Sequence, residues 1–305
     1  MSRILSAIGN TPLVKLQKLV PSGCADVYVK LEYFNPTASY KDRMALAIIE
    51  AAENRGDLKP GAQVVECTGG STGTSLAFIC AVKGYKFKAI SSDAFAKEKL
   101  KSIQMFGGEL ELVSSDGGKI TPDLIPKMMA RAEELSKGGA FWTDQFKNTD
   151  ALDGYKILGR EILAQSNKPI DEFCAAVGTA GLGAGVSIAL KEASPSTRVI
   201  FLEPATAPLL SKGEKGSHRV EGIGVGLVPA LLKQARYDGV RTVDEKEARK
   251  MAKLLVENEG ILAGTSTGLN VVAAIQAAEK LGPGKTVVTV ACDSGLKYMA
   301  GGLFD

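Results

Sequence analysis

The chain has 305 residues, of which 45% are hydrophobic and 23% are charged, and its net charge at neutral pH is +3. This composition is typical of a folded globular protein of about two domains and excludes a disordered chain. No basic block favours nucleic acid and no apolar run is long enough to span a bilayer, so we expect neither nucleic acid nor membrane as a partner.

Short β-branched runs alternate with longer amphipathic stretches along the chain. The predicted strands are Val27–Leu31, Gln63–Cys67, Phe87–Ser91, Leu110–Val113, Phe173–Val177, Val199–Leu202 and Thr286–Ala291. The predicted helices are Lys41–Asn54, Thr72–Lys83, Ala96–Phe106, Ile125–Lys137, Ala151–Gln165, Gly183–Glu192, Glu245–Asn258 and Leu269–Lys280. This alternation predicts an α/β fold, with open, twisted, mostly parallel sheets flanked by helices.

A small-residue turn at residues 35–39 leads into the first long predicted helix, and Lys41 lies in its first turn. The positive end of the helix dipole favours the neutral amine of a lysine there, and a neutral amine is the form that makes a Schiff base. The alternative is a solvated lysine that pairs with Asp42 or Glu32. The spacing alone leaves both interpretations open.

Five hydroxyl side chains and three glycines fill residues 68–75, where a predicted strand gives way to a helix. Such a segment suits a carboxylate or a phosphate, because helix N-termini present unpaired N–H groups. The simpler interpretation is a helix cap at Ser71 or Thr72. A cap requires one hydroxyl rather than five, so we favour an anion site that is compatible with a cap.

A second glycine-rich segment, residues 177–185, also follows a strand and opens a helix. Its small residues let backbone N–H groups approach an anion, which predicts a phosphate-binding cup. The alternative is a tight turn with close helix–strand packing. The dinucleotide fingerprint fails here, because its third glycine would fall on Val186.

Cysteine and histidine supply little chemistry in this sequence. The five cysteines form no Cys-x-x-Cys pair, and His218 is the only histidine. We therefore predict reduced, mostly buried thiols in a cytoplasmic protein, and no metal site.

Together, these segments resemble the fold-type II pyridoxal-phosphate enzymes, most closely the cysteine synthase (O-acetylserine sulfhydrylase) and cystathionine β-synthase family. The resemblance covers nearly the whole chain. Its matching segments are 8–14, 35–43, 145–148, 221–226, 259–268 and 293–298. It implies a tryptophan synthase β-like fold with a large cofactor-binding domain (1–40 plus 149–305) and a smaller mobile substrate-loop domain (41–148).

The resemblance also assigns roles to individual residues. Lys41 would bind pyridoxal 5'-phosphate covalently and later remove the substrate α-proton. The implied cofactor-binding residues are Ser71, Gly178, Thr179, Ala180, Gly181, Leu182 and Ser294. The implied substrate-binding residues are Thr68, Gly69, Thr72, Gln145 and Gly222.

Ser294 would contact the pyridine nitrogen, and Asp293 is a competing candidate for that contact. A hydroxyl does not keep this nitrogen protonated as a carboxylate would, so it favours loss of a β-substituent. The aminoacrylate that results can accept a nucleophile.

Several residues depart from the pattern of the family. Thr37 and Ala38 stand where the family usually has two glycines. Ser71 replaces the usual asparagine of the substrate loop. In the cup, Ala180 and Leu182 replace a glycine and a threonine.

The expected reaction is β-replacement on an activated serine, either O-acetylserine or O-phosphoserine, with sulfide or a related nucleophile. The alternatives are a serine/threonine deaminase or threonine synthase-like lyase, a cystathionine β-synthase-like condensation, and a binding protein without catalysis. The expected partners are a small-molecule amino acid and a nucleophile. A homodimer is expected from the resemblance alone.

Overall fold

The computed structural model describes residues 4–95, 97–117, 123–301 and 303. Its strands are β1 Leu13–Lys15, β2 Asp26–Leu31, β3 Gln63–Cys67, β4 Lys86–Ser92, β5 Glu109–Val113, β6 Phe141–Trp142, β7 Glu172–Ala176, β8 Arg198–Pro204, β9 Gly239–Val243 and β10 Thr286–Ala291. Its α-helices are α1 Lys41–Arg55, α2 Ser71–Lys83, α3 Lys97–Met105, α4 Leu124–Lys137, α5 Ala151–Gln165, α6 Gly181–Ala193, α7 Leu209–Lys212, α8 Glu245–Leu254 and α9 Thr265–Leu281. The predicted α/β class is confirmed.

Three strands are absent from the sequence prediction: β1, β6 and β9. β1 and β6 have only three and two residues, too few to show a period. β9 is an edge strand with mixed polarity. Helices α6 and α9 begin earlier than predicted, at Gly181 and Thr265. Ala96, the predicted first residue of α3, lies outside the described residues.

The fold divides into two compact units. One comprises Lys41–Gly154 with the N-terminal segment up to Ile8, and the other comprises residues 9–40 and 155–305. These bounds differ slightly from the predicted ones. Leu5 and Ile8 pack against the hydrophobic core of the first unit, which accounts for the different bound at the N-terminus.

The larger unit, residues 9–40 and 155–305, contains a six-stranded sheet in the order β1-β2-β10-β7-β8-β9. Only β1 runs antiparallel to its neighbour. All six residues of the central strand β10 are buried, as expected for a parallel strand covered on both faces. Helix α9 buries 13 residues and supplies much of the core beside this sheet.

The smaller unit contains a four-stranded parallel sheet in the order β5-β4-β3-β6. Its core joins the apolar faces of α1 and α2 to β3 and β4.

Each sheet has one point where the strand order reverses, between β7 and β10 in the larger unit and between β3 and β6 in the smaller. Open α/β sheets bind ligands at the carboxyl ends of the strands beside such a point. Strand pairing is also short there, with two residue pairs recorded in each case. The predicted cup follows β7, and the predicted substrate loop follows β3.

No helix in the described part of the chain is long and apolar enough to cross a lipid bilayer.

Candidate active site

The cup of the larger unit connects β7 to α6. Residues 177–182 are all buried. Ala180 precedes the helix at φ 65°, in the left-handed region, and no side chain caps the helix. The N–H groups of the first helical turn have no partner within a helix, so this segment can bind an anion.

A second loop lies directly against the cup. A Cβ atom at Gly178 would collide with the carbonyl oxygen of Gly222, so glycine is required for this approach. The N–H of Gly224 donates to the carbonyl of Val177 at 3.0 Å. His218 contacts the carbonyl of Gly224 through Nε2 at 3.1 Å. The structure therefore places Gly222, an implied substrate-binding residue, against the cup, and His218 supports its loop.

Ser294 follows β10, the neighbour of β7 in the sheet. Its side chain is 7% exposed, and Oγ accepts from the N–H of Leu296 at 3.2 Å. The Ser294 proton therefore remains available for donation. The adjacent Asp293 accepts a hydrogen bond of 2.8 Å from the hydroxyl of Tyr298.

The segment that precedes Lys41 pairs with the segment that contains Ser294. The N–H of Ser294 donates to the carbonyl of Ala38, and the N–H of Tyr40 donates to the carbonyl of Cys292. Lys41 follows at the next position, as the first residue of α1, and is 7% exposed. A buried lysine argues against the solvated-lysine interpretation.

In the smaller unit, the structure brings the predicted substrate-binding residues together. Thr72 Oγ1 donates to Gln145 Oε1 at 2.7 Å, and Gln145 Nε2 donates to the carbonyl of Cys67 at 3.0 Å. The simpler interpretation expects Ser71 or Thr72 to cap helix α2, but neither side chain does so. Instead, Thr68 Oγ1 accepts from the N–H groups of Gly70 and Gly73, each at 3.1 Å.

Two glycines let this loop pack closely under neighbouring side chains. A Cβ atom at Gly69 would lie 2.7 Å from the Phe95 ring, and one at Gly70 would lie 2.8 Å from Lys99 Cβ. The loop therefore has a defined shape, and larger residues at these positions would displace it.

Two polar residues important to this geometry are missed by the sequence reasoning. The amide of Asn270 accepts from Ala176 N and donates to Val290 O, both at 2.8 Å, and so joins β7 to β10 beyond their recorded pairing. In the smaller unit, the Glu66 side chain joins β3 to the residues after β6. Both residues are 0% exposed. The sequence signal that could have identified them is a polar side chain within an otherwise buried element.

The cysteines carry no reactive signature. All five are free and four are buried. Burial raises the pKa of the Cys67 thiol well above its ordinary value and that of Cys174 to about 12, so both remain protonated. Among the residues that the structure describes, no group of three or more His, Cys, Asp or Glu side chains could hold a metal ion.

Comparison with known proteins identifies the family. A family model described as "Pyridoxal-phosphate dependent enzyme" matches residues 4–293. Cysteine synthase of Staphylococcus aureus strain Mu50 is 42% identical over 306 aligned residues, which cover 100% of this chain and 97% of that protein. O-ureido-L-serine synthase of Streptomyces lavendulae is 39% identical, with coverage of 99% and 92%.

A solved structure agrees with these similarities. The crystal structure of cysteine synthase from Entamoeba histolytica has a TM-score of 0.91 with this chain at 32% identity, and the match covers 100% of this chain and 90% of that one. The predicted fold-type II architecture is thereby confirmed. The chain belongs to the pyridoxal-phosphate dependent enzymes and, within them, to the cysteine synthase family.

Proposed function

We propose that this enzyme replaces the β-substituent of an activated serine, O-acetylserine or O-phosphoserine, with sulfide or a related nucleophile. The observation that carries the proposal is the pairing of residues 38–40 with residues 292–294, directly before Lys41. It places Tyr40, the residue directly before the buried Lys41, beside the strand end that bears Ser294. Family membership supplies the reaction class.

The residues present fit pyridoxal phosphate. The glycine contact at Gly178 and the uncapped start of α6 suit its phosphate. The Ser294 hydroxyl has a proton to donate to a ring nitrogen. When bound, this cofactor supplies an aldehyde that bonds to amines and a ring that withdraws electrons from the substrate.

We assign the covalent bond to the cofactor, and removal of the substrate α-proton, to Nζ of Lys41. Its place at the start of α1 supports this role, because the helix dipole there favours the uncharged amine that both tasks require.

We assign binding of the substrate carboxylate to Gly69 and Thr72, which follow β3, and to Gln145. The N–H groups at the start of α2 and the Gln145 amide are donors suited to a carboxylate. Thr68 has a different task, because its Oγ1 already accepts two backbone N–H groups and shapes the loop. We place Ser71 near the cofactor, as the family position suggests.

We assign the contact with the pyridine nitrogen of the cofactor to Ser294 rather than to Asp293. The Asp293 carboxylate already accepts from Tyr298, whereas the Ser294 proton is available. A neutral partner such as the Ser294 hydroxyl would leave the ring nitrogen uncharged, which would favour departure of the β-substituent.

A screen of amino-acid donors and nucleophiles tests the proposed reaction. O-acetylserine and O-phosphoserine are each mixed with sulfide, homocysteine or hydroxyurea, and the products are identified by mass spectrometry. The 39% identity to an O-ureido-L-serine synthase makes hydroxyurea a worthwhile second candidate. A cysteine product supports the proposal. Pyruvate as the only product would indicate the lyase instead.

We also propose a homodimer in the cytoplasm. The free, largely buried thiols are compatible with a reducing compartment. Leu296 and Met299 are 67% and 60% exposed, and apolar side chains of this kind are often covered by a second subunit. Light scattering that gives the mass of one chain would contradict the dimer.

A further inference from the structure

A buried carboxylate lies at the base of the substrate loop. Glu66, in β3, is 0% exposed. Its oxygens accept from Thr143 Oγ1 at 2.6 Å, Cys67 N at 2.8 Å, Gln145 N at 2.9 Å and Trp142 Nε1 at 3.4 Å. All four of these neighbours are donors, which is the environment that suits a carboxylate.

These bonds replace strand pairing. β3 and β6 are paired through Val64 with Phe141 and Val65 with Trp142. Beyond that point the Glu66 side chain joins the two strands, because it holds the Thr143 hydroxyl and the Gln145 main chain. The carboxylate therefore determines where residue 145 lies relative to β3.

Gln145 transmits this position to the loop. Its side chain donates to the carbonyl of Cys67 and accepts from the hydroxyl of Thr72. A continuous series of hydrogen bonds thus runs from Glu66 through Gln145 to Thr72.

We propose that Glu66 is a positioning residue for the amino-acid substrate, which fixes the Gln145 main chain and so aims the Gln145 amide and the Thr72 hydroxyl. This inference rests on the proposed function, because those two groups are assigned there to the substrate carboxylate. Each carboxylate oxygen accepts from two donors, so in Glu66→Gln the NH2 group that replaces one oxygen would face donors and disturb the position of Gln145. Substrate binding should then weaken while cofactor binding, which is assigned mainly to the larger unit, stays unchanged.

The same contacts provide a spectroscopic readout. Trp142 is the only tryptophan in the chain, and its indole N–H donates to Glu66. Burial raises the pKa of Glu66 to about 7, and the nearby charge of Asp144 adds to this effect. Cys67, the other titratable neighbour, stays neutral because burial raises its pKa. The indole resonance should therefore follow the charge of Glu66 near neutral pH.

The binding test compares Glu66→Gln with Glu53→Gln in the holoenzyme. Glu53 is a matched control in the same unit, a carboxylate that accepts from Lys83 and Tyr85 away from the loop. L-serine binding is followed through the absorbance of the bound cofactor. We expect its dissociation constant, and the KM for O-acetylserine, to rise about tenfold in Glu66→Gln, equivalent to about 1.4 kcal/mol. We expect kcat and cofactor affinity to change by less than about threefold.

Equal loss of kcat and cofactor affinity in Glu66→Gln, or the same KM change in Glu53→Gln, would show a merely structural role and overturn the proposal. A wild-type enzyme whose cofactor absorbance responds to neither L-serine nor O-acetylserine would instead contradict the proposed function. The comparison with wild type thus separates the two failures.

A second measurement is made on the wild-type protein, so its main result does not require that a Glu66 variant folds. The indole N–H signal of wild-type holoenzyme is titrated by ¹H–¹⁵N NMR, and a shift with a midpoint near pH 7 is expected. The shift should persist in Glu53→Gln and vanish in Glu66→Gln. A wild-type signal that is insensitive to pH would contradict the hydrogen bond between Trp142 and Glu66, and with it the placement of the carboxylate from which the inference is argued.

Discussion

The hydroxyl of Tyr298 donates a 2.8 Å hydrogen bond to the carboxylate of Asp293, one residue before Ser294. Burial raises the pKa of Tyr298 well above its ordinary value, and the charge of Asp293 raises it further, so the phenol keeps its proton. This bond occupies Oδ2 of Asp293, the charged candidate for the pyridine contact, whereas the Ser294 proton is available for that contact.

Replacing Tyr298 with Phe should destabilise the protein, because the Asp293 carboxylate loses a buried donor. We expect the free energy of unfolding in urea to fall by about 1–3 kcal/mol. Tyr85→Phe is the control, since its partner Glu53 retains the bond from Lys83. Equal losses in the two variants would contradict the importance of the buried pair.

Two alanines that replace family glycines have positive φ values. Ala38 lies at φ 54° and Ala180 at φ 65°. The left-handed region costs a residue with a Cβ about 1 kcal/mol or more, so Ala38→Gly and Ala180→Gly should each raise stability by up to that amount. Ala189→Gly, in the interior of α6, should lower it. Thermal denaturation checks the signs, and destabilisation by both loop variants would show that the strain is absent.

Stability should depend on pH through Glu66. Burial raises its pKa from the ordinary value of 4.5 to about 7 in the folded protein. Between these values the folded state holds a proton that the unfolded state has lost, so the contribution of this group falls as pH rises. The fall is about 3 kcal/mol in total and levels off above pH 7.

Urea denaturation across this range should therefore show wild-type stability falling relative to Glu66→Gln as pH rises. Burial alone would raise the pKa of Glu53, but bonds to Lys83 and Tyr85 lower it below 4.5, so wild-type stability should not fall relative to Glu53→Gln over the same range. A wild-type curve that rises relative to Glu66→Gln would reverse the assigned sign.

Asn270 should matter for cofactor binding as well as for stability. Replacing it with Leu leaves Ala176 N and Val290 O without their bridging amide, where the cup and the Ser294 segment begin. We expect a loss of about 2–5 kcal/mol in unfolding free energy and weaker cofactor retention on dialysis. Asn258→Ala, which removes a part-buried bond to Leu254, is the control. Unchanged cofactor retention in a folded Asn270→Leu protein would argue against the role of this bridge.

The helices with strong hydrophobic periods and the strands with continuous apolar runs could be predicted from the sequence, and the central strand β10 is an example of such a run. The start of α9 could not, because Thr265, Ser266 and Thr267 have the composition of a loop. In the structure they are buried, and Thr267 Oγ1 accepts from Cys292 N. Tertiary packing overrides local propensity at such positions.

The candidate site, like the fold, could be predicted only in part. Glycine-rich turns after strands mark the cup and the substrate loop from sequence alone. The cap of α2 by Thr68 and the bridges made by Glu66 and Asn270 depend on partners that the local sequence pattern does not identify. Gln145, for example, lies 79 residues from Glu66 along the chain.

The most direct test of the account is the absorbance spectrum and turnover of Lys41→Ala beside a Lys83→Ala control, both purified with added pyridoxal phosphate. We expect Lys41→Ala to lose the covalently bound, coloured cofactor and essentially all β-replacement, while Lys83→Ala keeps both. A Lys41→Ala protein that remains yellow after dialysis, retains covalently bound cofactor after borohydride reduction, and still converts O-acetylserine would contradict the assignment.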